Sequence, residues 1–147
     1  MIVKNILQTK PKGMGVVFVS PDASITEATR MLAHHRIGAL VAVETGGKIA
    51  GILSERDIIR GLSEKLADCL SLKVRDLMTA NVLTCREQDT IDSVMETMTN
   101  KRIRHLPVVD AGGSLAGIVT IGDVVKVSLD HAHAEVNDLR DYVAAVR

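Results

Sequence analysis

The chain of 147 residues carries 18 basic and 18 acidic side chains, so its formal net charge is zero, and 46% of it is hydrophobic. That length suits one domain or two small halves sharing apolar surface, and the composition excludes a disordered chain. Zero net charge gives no general pull toward nucleic acid or anionic membrane. Phe18 and Tyr142 are the only aromatics, too few to stack single-stranded nucleic acid.

Met1 to Lys10 holds no continuous apolar stretch of the signal-peptide kind. No apolar run approaches the roughly 20 residues that span a bilayer, so a membrane partner is not expected. Pro11, Gly13 and Gly15 mark a loop. Val16 to Val19 then reads as a short β-branched strand. Ser24 to His35 reads as a helix capped by Ser24, with Ile25, Ala28, Met31 and Leu32 on one face. Ala39 to Val43 and Lys48 to Leu53 are strands joined through Gly46-Gly47, a hairpin signal, and a helix follows from about Glu55.

The same order then repeats. Asp57 and Asp123 are 66 positions apart, and at that offset Arg36-Ile37 matches Arg102-Ile103, Gly46-Gly47 matches Gly112-Gly113, and Ala50-Gly51-Ile52 matches Ala116-Gly117-Ile118. The second copy has a strand over Val82 to Cys85, a helix over Thr90 to Lys101, strands over Leu106 to Val109 and Leu115 to Val119, and a helix from about Gly122. A second echo, Val3-Lys4-Asn5-Ile6-Leu7 against Val74-Arg75-Asp76-Leu77-Met78, is offset by 71, which places five extra residues in the loop before the first strand. The fold class is α+β: tandem β-α-β-β-α units packed through their sheets with pseudo-twofold symmetry, because one unit alone is too small to bury its sheet. The expected division is residues 1–66 (first unit with lead-in), 67–128 (second unit with linker helix) and 129–147 (C-terminal amphipathic helix).

Each third strand runs into a helix through Gly-h-h-Ser/Thr-x-x-Asp, as Gly51-Ile52-Leu53-Ser54-Glu55-Arg56-Asp57 and Gly117-Ile118-Val119-Thr120-Ile121-Gly122-Asp123. A hydroxyl followed three residues later by an acid is close to a capping box. The same geometry also offers free amides to an anion, and a carboxylate that accepts both hydroxyls of a ribose. Spacing alone does not decide between these readings.

These junctions, the segments Arg102-Ile103-Arg104-His105-Leu106-Pro107-Val108-Val109-Asp110 and Ile37-Gly38-Ala39-Leu40-Val41-Ala42-Val43, and the linker Val74-Arg75-Asp76-Leu77-Met78-Thr79 resemble a CBS-domain pair, or Bateman module, over about residues 1–128. The likeness is to stand-alone bacterial CBS-pair proteins without a catalytic domain. It implies regulatory binding of an adenosyl ligand: AMP, ADP, ATP, NAD or S-adenosylmethionine. The Asp would hold ribose, the Ser/Thr would sit near ribose or phosphate, and the other copy would pinch the adenine. Carried over, one cleft joins Ser54, Arg56 and Asp57 to Thr79, Asn81, Leu83, Ile103, Arg104 and His105. The other joins Thr120, Gly122 and Asp123 to Gly15, Val17, Ile37 and Gly38. Arg56, Arg104 and His105 face glycine or alanine equivalents in the second cleft, so the first is expected to prefer phosphorylated ligands. Lys10 and Lys12 are additional sources of charge for the second.

Beyond the repeat, Leu129, Ala132, Val136, Leu139, Val143 and Val146 step by threes and fours as a heptad seam. Either a second copy covers it in a homodimer, or the helix folds onto its own module. CBS pairs commonly assemble as disc-shaped dimers, which favours the dimer. His131 and His133 point to different helix faces, His34-His35 reads as a solvated helix end, and no metal site is expected. Met31, Met78, Met95 and Met98 read as core. Cys85 reads as buried and Cys69 as a linker residue open to solvent; both read as reduced thiols of a cytoplasmic protein. No nucleophile, base and orienting group recur together, so catalysis is not expected. The expected function is a nucleotide sensor acting on an unidentified downstream protein. The rival is an interaction module that dimerises without ligand, and a small nucleotide-acting enzyme is a weaker third reading.

Overall fold

The offset of 66 carries directly into the backbone. The computed structural model describes residues 1–10 and 16–146, so Gly15 and Lys12 lie outside the described residues. In chain order come α1 (Val3–Thr9), β1 (Phe18–Val19), α2 (Ile25–His35), β2 (Ala39–Val43), β3 (Ile49–Ser54), α3 (Glu55–Lys65), a 3-10 turn (Leu66–Ser71), α4 (Val74–Leu77), β4 (Cys85–Arg86), α5 (Ile91–Lys101), β5 (His105–Val109), β6 (Leu115–Thr120) and α6 (Ile121–Ala145). Two three-stranded sheets form, ordered β1-β2-β3 and β4-β5-β6. In each, the outer strand runs parallel to the central one across a helical crossover, and a hairpin supplies the third strand. Gly47 and Gly113 sit at φ 89° and 83°, the left-handed turn position that favours glycine.

Local chemistry explains most boundaries. Ser24 and Thr90 cap α2 and α5 by accepting from the Glu27 and Ser93 amides at 3.1 Å. Ile25, Ala28 and Leu32, like Ile91, Val94 and Met98, are buried at helical spacing. β1 and β4 are shorter than the strands expected from Val16 and Val82, because only Phe18-Val19 and Cys85-Arg86 find partners on the central strand. β-branched composition gives a preference, but pairing needs an opposite strand.

The two cores exchange their leading helices. Val3 and Ile6 of α1 are buried with Ile91, Leu106, Val108 and Val119 of the second unit. Val74 and Cys69 are buried with Ile25, Leu40, Ala42 and Leu53 of the first. Backbone bonds fix the exchange: Val3 N donates to Asp89 O at 2.9 Å, and Val74 N to Ala23 O at 2.8 Å. The lead-in thus completes the second unit and the linker helix completes the first, crossing the division made along the sequence. Cys69, expected to face solvent, is 0% exposed because the 3-10 turn folds it under α3.

Lys48 and Ser114, 66 positions apart, form a β-bridge with each other. A residue pairs with its own repeat equivalent only where a twofold-like axis passes between them. Val41 is 0% exposed although its neighbours Leu40 and Ala42 face the first core, so both faces of the central strand are covered. α6 is continuous through 25 residues. The tail expected to begin near Ser128 is the second half of that helix, since no Pro or Gly follows Gly122 to interrupt it. It does not fold back on the module: residues 129–146 are exposed throughout.

Candidate functional site

At the start of α3 the capping box is fully formed. Asp57 N donates to Ser54 Oγ at 3.3 Å, while Ser54 N and Ser54 Oγ donate to Asp57 Oδ2 at 2.9 and 3.1 Å. Asp57 is 7% exposed, and its other oxygen, Oδ1, has the Arg60 guanidinium at 3.6 Å. The capping and ligand readings are compatible, because one oxygen secures the helix start and the other is not used by the cap.

Beside this junction lies a cavity of about 430 Å³. Ser54, Arg56 and Asp57 come to it from the first unit, and Ile103, Arg104 and His105 from the second. Thr79, Asn81 and Leu83 enter from the connecting segment. The structure therefore gathers every residue of the first expected cleft around one space of small-ligand size. Thr79 is held there by reciprocal backbone bonds with Ile52, at 2.9 and 3.0 Å.

Three arginines converge on the cavity, Arg56, Arg102 and Arg104. Among the described residues none of them has a carboxylate within 4.0 Å. Arg102 terminates α5 with φ 53°, in the left-handed conformation. Its repeat equivalent Arg36 ends α2 in the same conformation, at φ 54°. The sequence reading passed over Arg102 and Glu55, both of which line the cavity. The signal available for Glu55 was its place in the first turn of α3. A Cβ on Gly38 would lie 2.7 Å from Glu55 Oε1 and 3.4 Å from the His105 ring, so these groups meet between the units.

Burial holds the His105 imidazole below its ordinary pKa. Glu55 and Asp123 oppose that shift, while Arg104 and Lys10 add to it. The net balance favours the uncharged imidazole.

The second junction is built alike but occupied differently. Thr120 N donates to Asp123 Oδ2 at 2.9 Å and Asp123 N to Thr120 Oγ1 at 3.2 Å. Here Lys10 Nζ also lies 3.0 Å from Asp123 Oδ2 and donates to Ile118 O. Ile118 is the repeat equivalent of Ile52, so a lysine takes the place that the Thr79 backbone takes in the first site. Burial works to raise the Asp123 pKa, but the Thr120 amide and Lys10 together hold it below the ordinary value.

The remaining expected residues of this cleft are not gathered as the first set is. Val17 packs against the first core. Ile37 lines a groove with Thr29 and Ile58. Gly38, expected in the second cleft, lines the first cavity instead and abuts Glu55 and His105 there, and Gly122 opens onto the outer side of α6 with Val125 and Leu129. Gly15 lies outside the described residues.

Burial and then Asp89 push the Cys85 thiol up to about 12, so it is unreactive packing. Among the described residues no group of three or more His, Cys, Asp or Glu side chains is placed to hold a metal. Among the described residues no helix is long and apolar enough to cross a membrane.

A duplicated β-α-β-β-α module with twinned strand-to-helix junctions at the contact of its halves defines the class. The family model for the CBS domain matches twice, at residues 3–64 and 74–130. A solved CBS-domain-containing protein of Agrobacterium tumefaciens is 43% identical, with a TM-score of 0.81, covering 87% of this chain and 99% of that one. The CBS-domain pair of protein MJ0100, solved with 5'-methylthioadenosine and S-adenosyl-L-methionine, is 31% identical with a TM-score of 0.77, covering 89% and 98%. A CBS-domain protein of Pyrobaculum aerophilum complexed with AMP is 26% identical with a TM-score of 0.74, covering 84% and 89%. The chain belongs to the CBS-domain family and is a CBS-domain pair.

Proposed function

We propose that the protein is a regulatory sensor that binds a phosphorylated adenosyl ligand in the cavity between its two CBS units. One observation carries this reading: a space of about 430 Å³ where the Asp57 junction meets three arginines that have no carboxylate partner among the described residues. Asp57 would accept the ribose hydroxyls, and Ser54 and the arginines would hold the phosphate. With Leu83 and Ile103 as apolar walls, adenine would lie between aliphatic side chains and pair with backbone groups. The AMP complex of the Pyrobaculum protein supports this choice. The second junction is the weaker site, because a ligand there must displace Lys10 from Asp123. Ligand in the first cavity would tie Asp57 of one unit to Arg104 of the other and fix their relation, which a downstream protein reads. The two buried free thiols fit a reducing compartment, and a cytoplasmic location is part of the proposal.

The test is thermal unfolding with AMP, ADP, ATP, NAD and S-adenosylmethionine, on protein first shown by absorbance near 260 nm to be free of carried-over nucleotide. A ligand at a hundredfold its dissociation constant adds roughly 2.7 kcal/mol of stability. The expected result is stabilisation by a phosphorylated member of this set, lost in Asp57→Ala and kept in Asp123→Ala. No stabilisation by any of them would transfer the assignment to a ligand-free interaction module.

A further inference from the structure

The second half of α6 leaves the module with an apolar stripe that its own chain does not cover. Val125, Leu129, Val136, Leu139, Val143 and Val146 are 44, 53, 48, 64, 51 and 69% exposed. Val124, 0% exposed, and Val127 pack on the second core, so the module occupies a different side of the helix. Successive residues are about 100° apart around a helix, which leaves the stripe's side open.

We propose that a second copy of this chain covers the stripe, as a parallel, in-register two-stranded coiled coil. Residue identities favour that pairing. Leu129, Val136 and Val143 fall at one repeating seam position and Val125, Ala132, Leu139 and Val146 at the other. At the centre of the seam Val136 and Val143 at the first position flank Leu139 at the second, the combination that favours two parallel strands, while Leu129 at the first and Ala132 at the second depart from it. The flanking charges select the direction. In a parallel pair, a residue on one flank meets the residue five positions on in its partner, so Glu135 meets Arg140 twice across the twofold axis. An antiparallel pair would set the flank of Lys126, His133 and Arg140 against itself. Glu135 already lies 3.5 Å from His131 of its own helix, which orients it without covering it. The seam spans about three heptads, short for a free coiled coil, but the packed first half of α6 has already met the cost of helix nucleation.

Sedimentation and cysteine cross-linking of the full chain, both without nucleotide, test this independently of the ligand reading. The wild type is expected at twice its 15.8 kDa mass, and Leu139→Asp at the single-chain mass with an unchanged module melting profile. Arg140→Glu should raise the dimer dissociation constant several-fold, and Glu135→Arg combined with Arg140→Glu should restore it. Leu129→Cys and Val143→Cys should each form a disulfide with its own copy, undisturbed by the buried Cys69 and Cys85. A monomeric wild type, a dimer that survives Leu139→Asp, or a disulfide missing at either position would overturn the proposal. The first outcome would leave the stripe to a different protein, and the last would indicate an antiparallel pair.

Discussion

Asp57 and Asp123 stand at equivalent positions with nearly the same cap geometry but different cationic neighbours: Arg60 lies 3.6 Å from Asp57 Oδ1, and Lys10 lies 3.0 Å from Asp123 Oδ2, the oxygen used by the cap. Removing the cap alone has a defined cost. Asp57→Ala should lower stability without ligand by about 1 kcal/mol, and Asp57→Asn should restore most of it, because an amide oxygen still accepts from Ser54 N. Chemical denaturation measures both, and equal losses would show that charge rather than capping matters there. Lys10→Met should free Asp123, so that titration with an adenosyl ligand reveals a second binding equivalent; unchanged stoichiometry would mean that Lys10 does not limit that site.

His105 gives a pH signature. Its native pKa lies below the ordinary 6.5, so as pH falls below that value the unfolded chain takes up the proton first. Stability is therefore expected to fall with pH between 6.5 and the lower native value. The slope over that window should shrink in His105→Gln, and a slope unchanged by the substitution would contradict it. Asp123 acts lower on the scale: its stabilisation is present above the ordinary carboxylate value of 3.8 and is lost as pH falls through its lowered native one.

At the scale of elements, the connecting segment and the lead-in do equivalent work with different materials. A Cβ on Gly51 would meet Met78 Sδ at 2.6 Å and the Thr79 carbonyl at 2.7 Å, whereas one on Gly117 would meet the end of the Leu7 side chain at 2.7 Å. A leucine terminus can turn aside; a carbonyl bridged to the next strand cannot. Gly51→Ala is expected to cost about 1–3 kcal/mol and to weaken ligand binding by displacing Thr79, with Gly117→Ala costing less. Equal costs in denaturant titrations would remove this distinction.

The elements themselves were largely legible in the sequence. A constant offset of 66 with Ser24, Thr90 and the paired glycines as punctuation located both helices and both hairpins. The exchange of α1 and α4 between cores was not legible, because apolar spacing says that a helix buries a face and not against which unit. Cys69 was misplaced for the same reason: a residue between repeats reads as linker until a tertiary partner is known. Arg102 was passed over because only the contact between the units brings the end of α5 to the cavity.

Over the whole molecule, the twofold-like relation explains why the site exists and why it is lopsided. Duplication sets each junction against the other unit's central strand, so a crevice arises where the halves meet. Lys10, just after α1, then reaches Asp123 in one half, where the other half has the Thr79 backbone. The residues gathered around the first cavity were named through the family resemblance, which the repeat alone did not supply. The second cleft was not legible, since nothing in the spacing shows a lysine side chain standing where a backbone strand stands in the first. α6 joins the two scales: its first turn carries Thr120 and Asp123, and its far half carries the seam proposed for a second copy.

The central claim is that a phosphorylated adenosyl ligand binds at the Asp57 junction. Isothermal titration of AMP into nucleotide-free wild type, Asp57→Asn and Asp123→Asn tests it most directly. The expected result is one equivalent per chain in the wild type and in Asp123→Asn, with affinity at least tenfold weaker in Asp57→Asn, a loss of about 1.4 kcal/mol. Absence of binding in the wild type, or equal binding in Asp57→Asn, would contradict it.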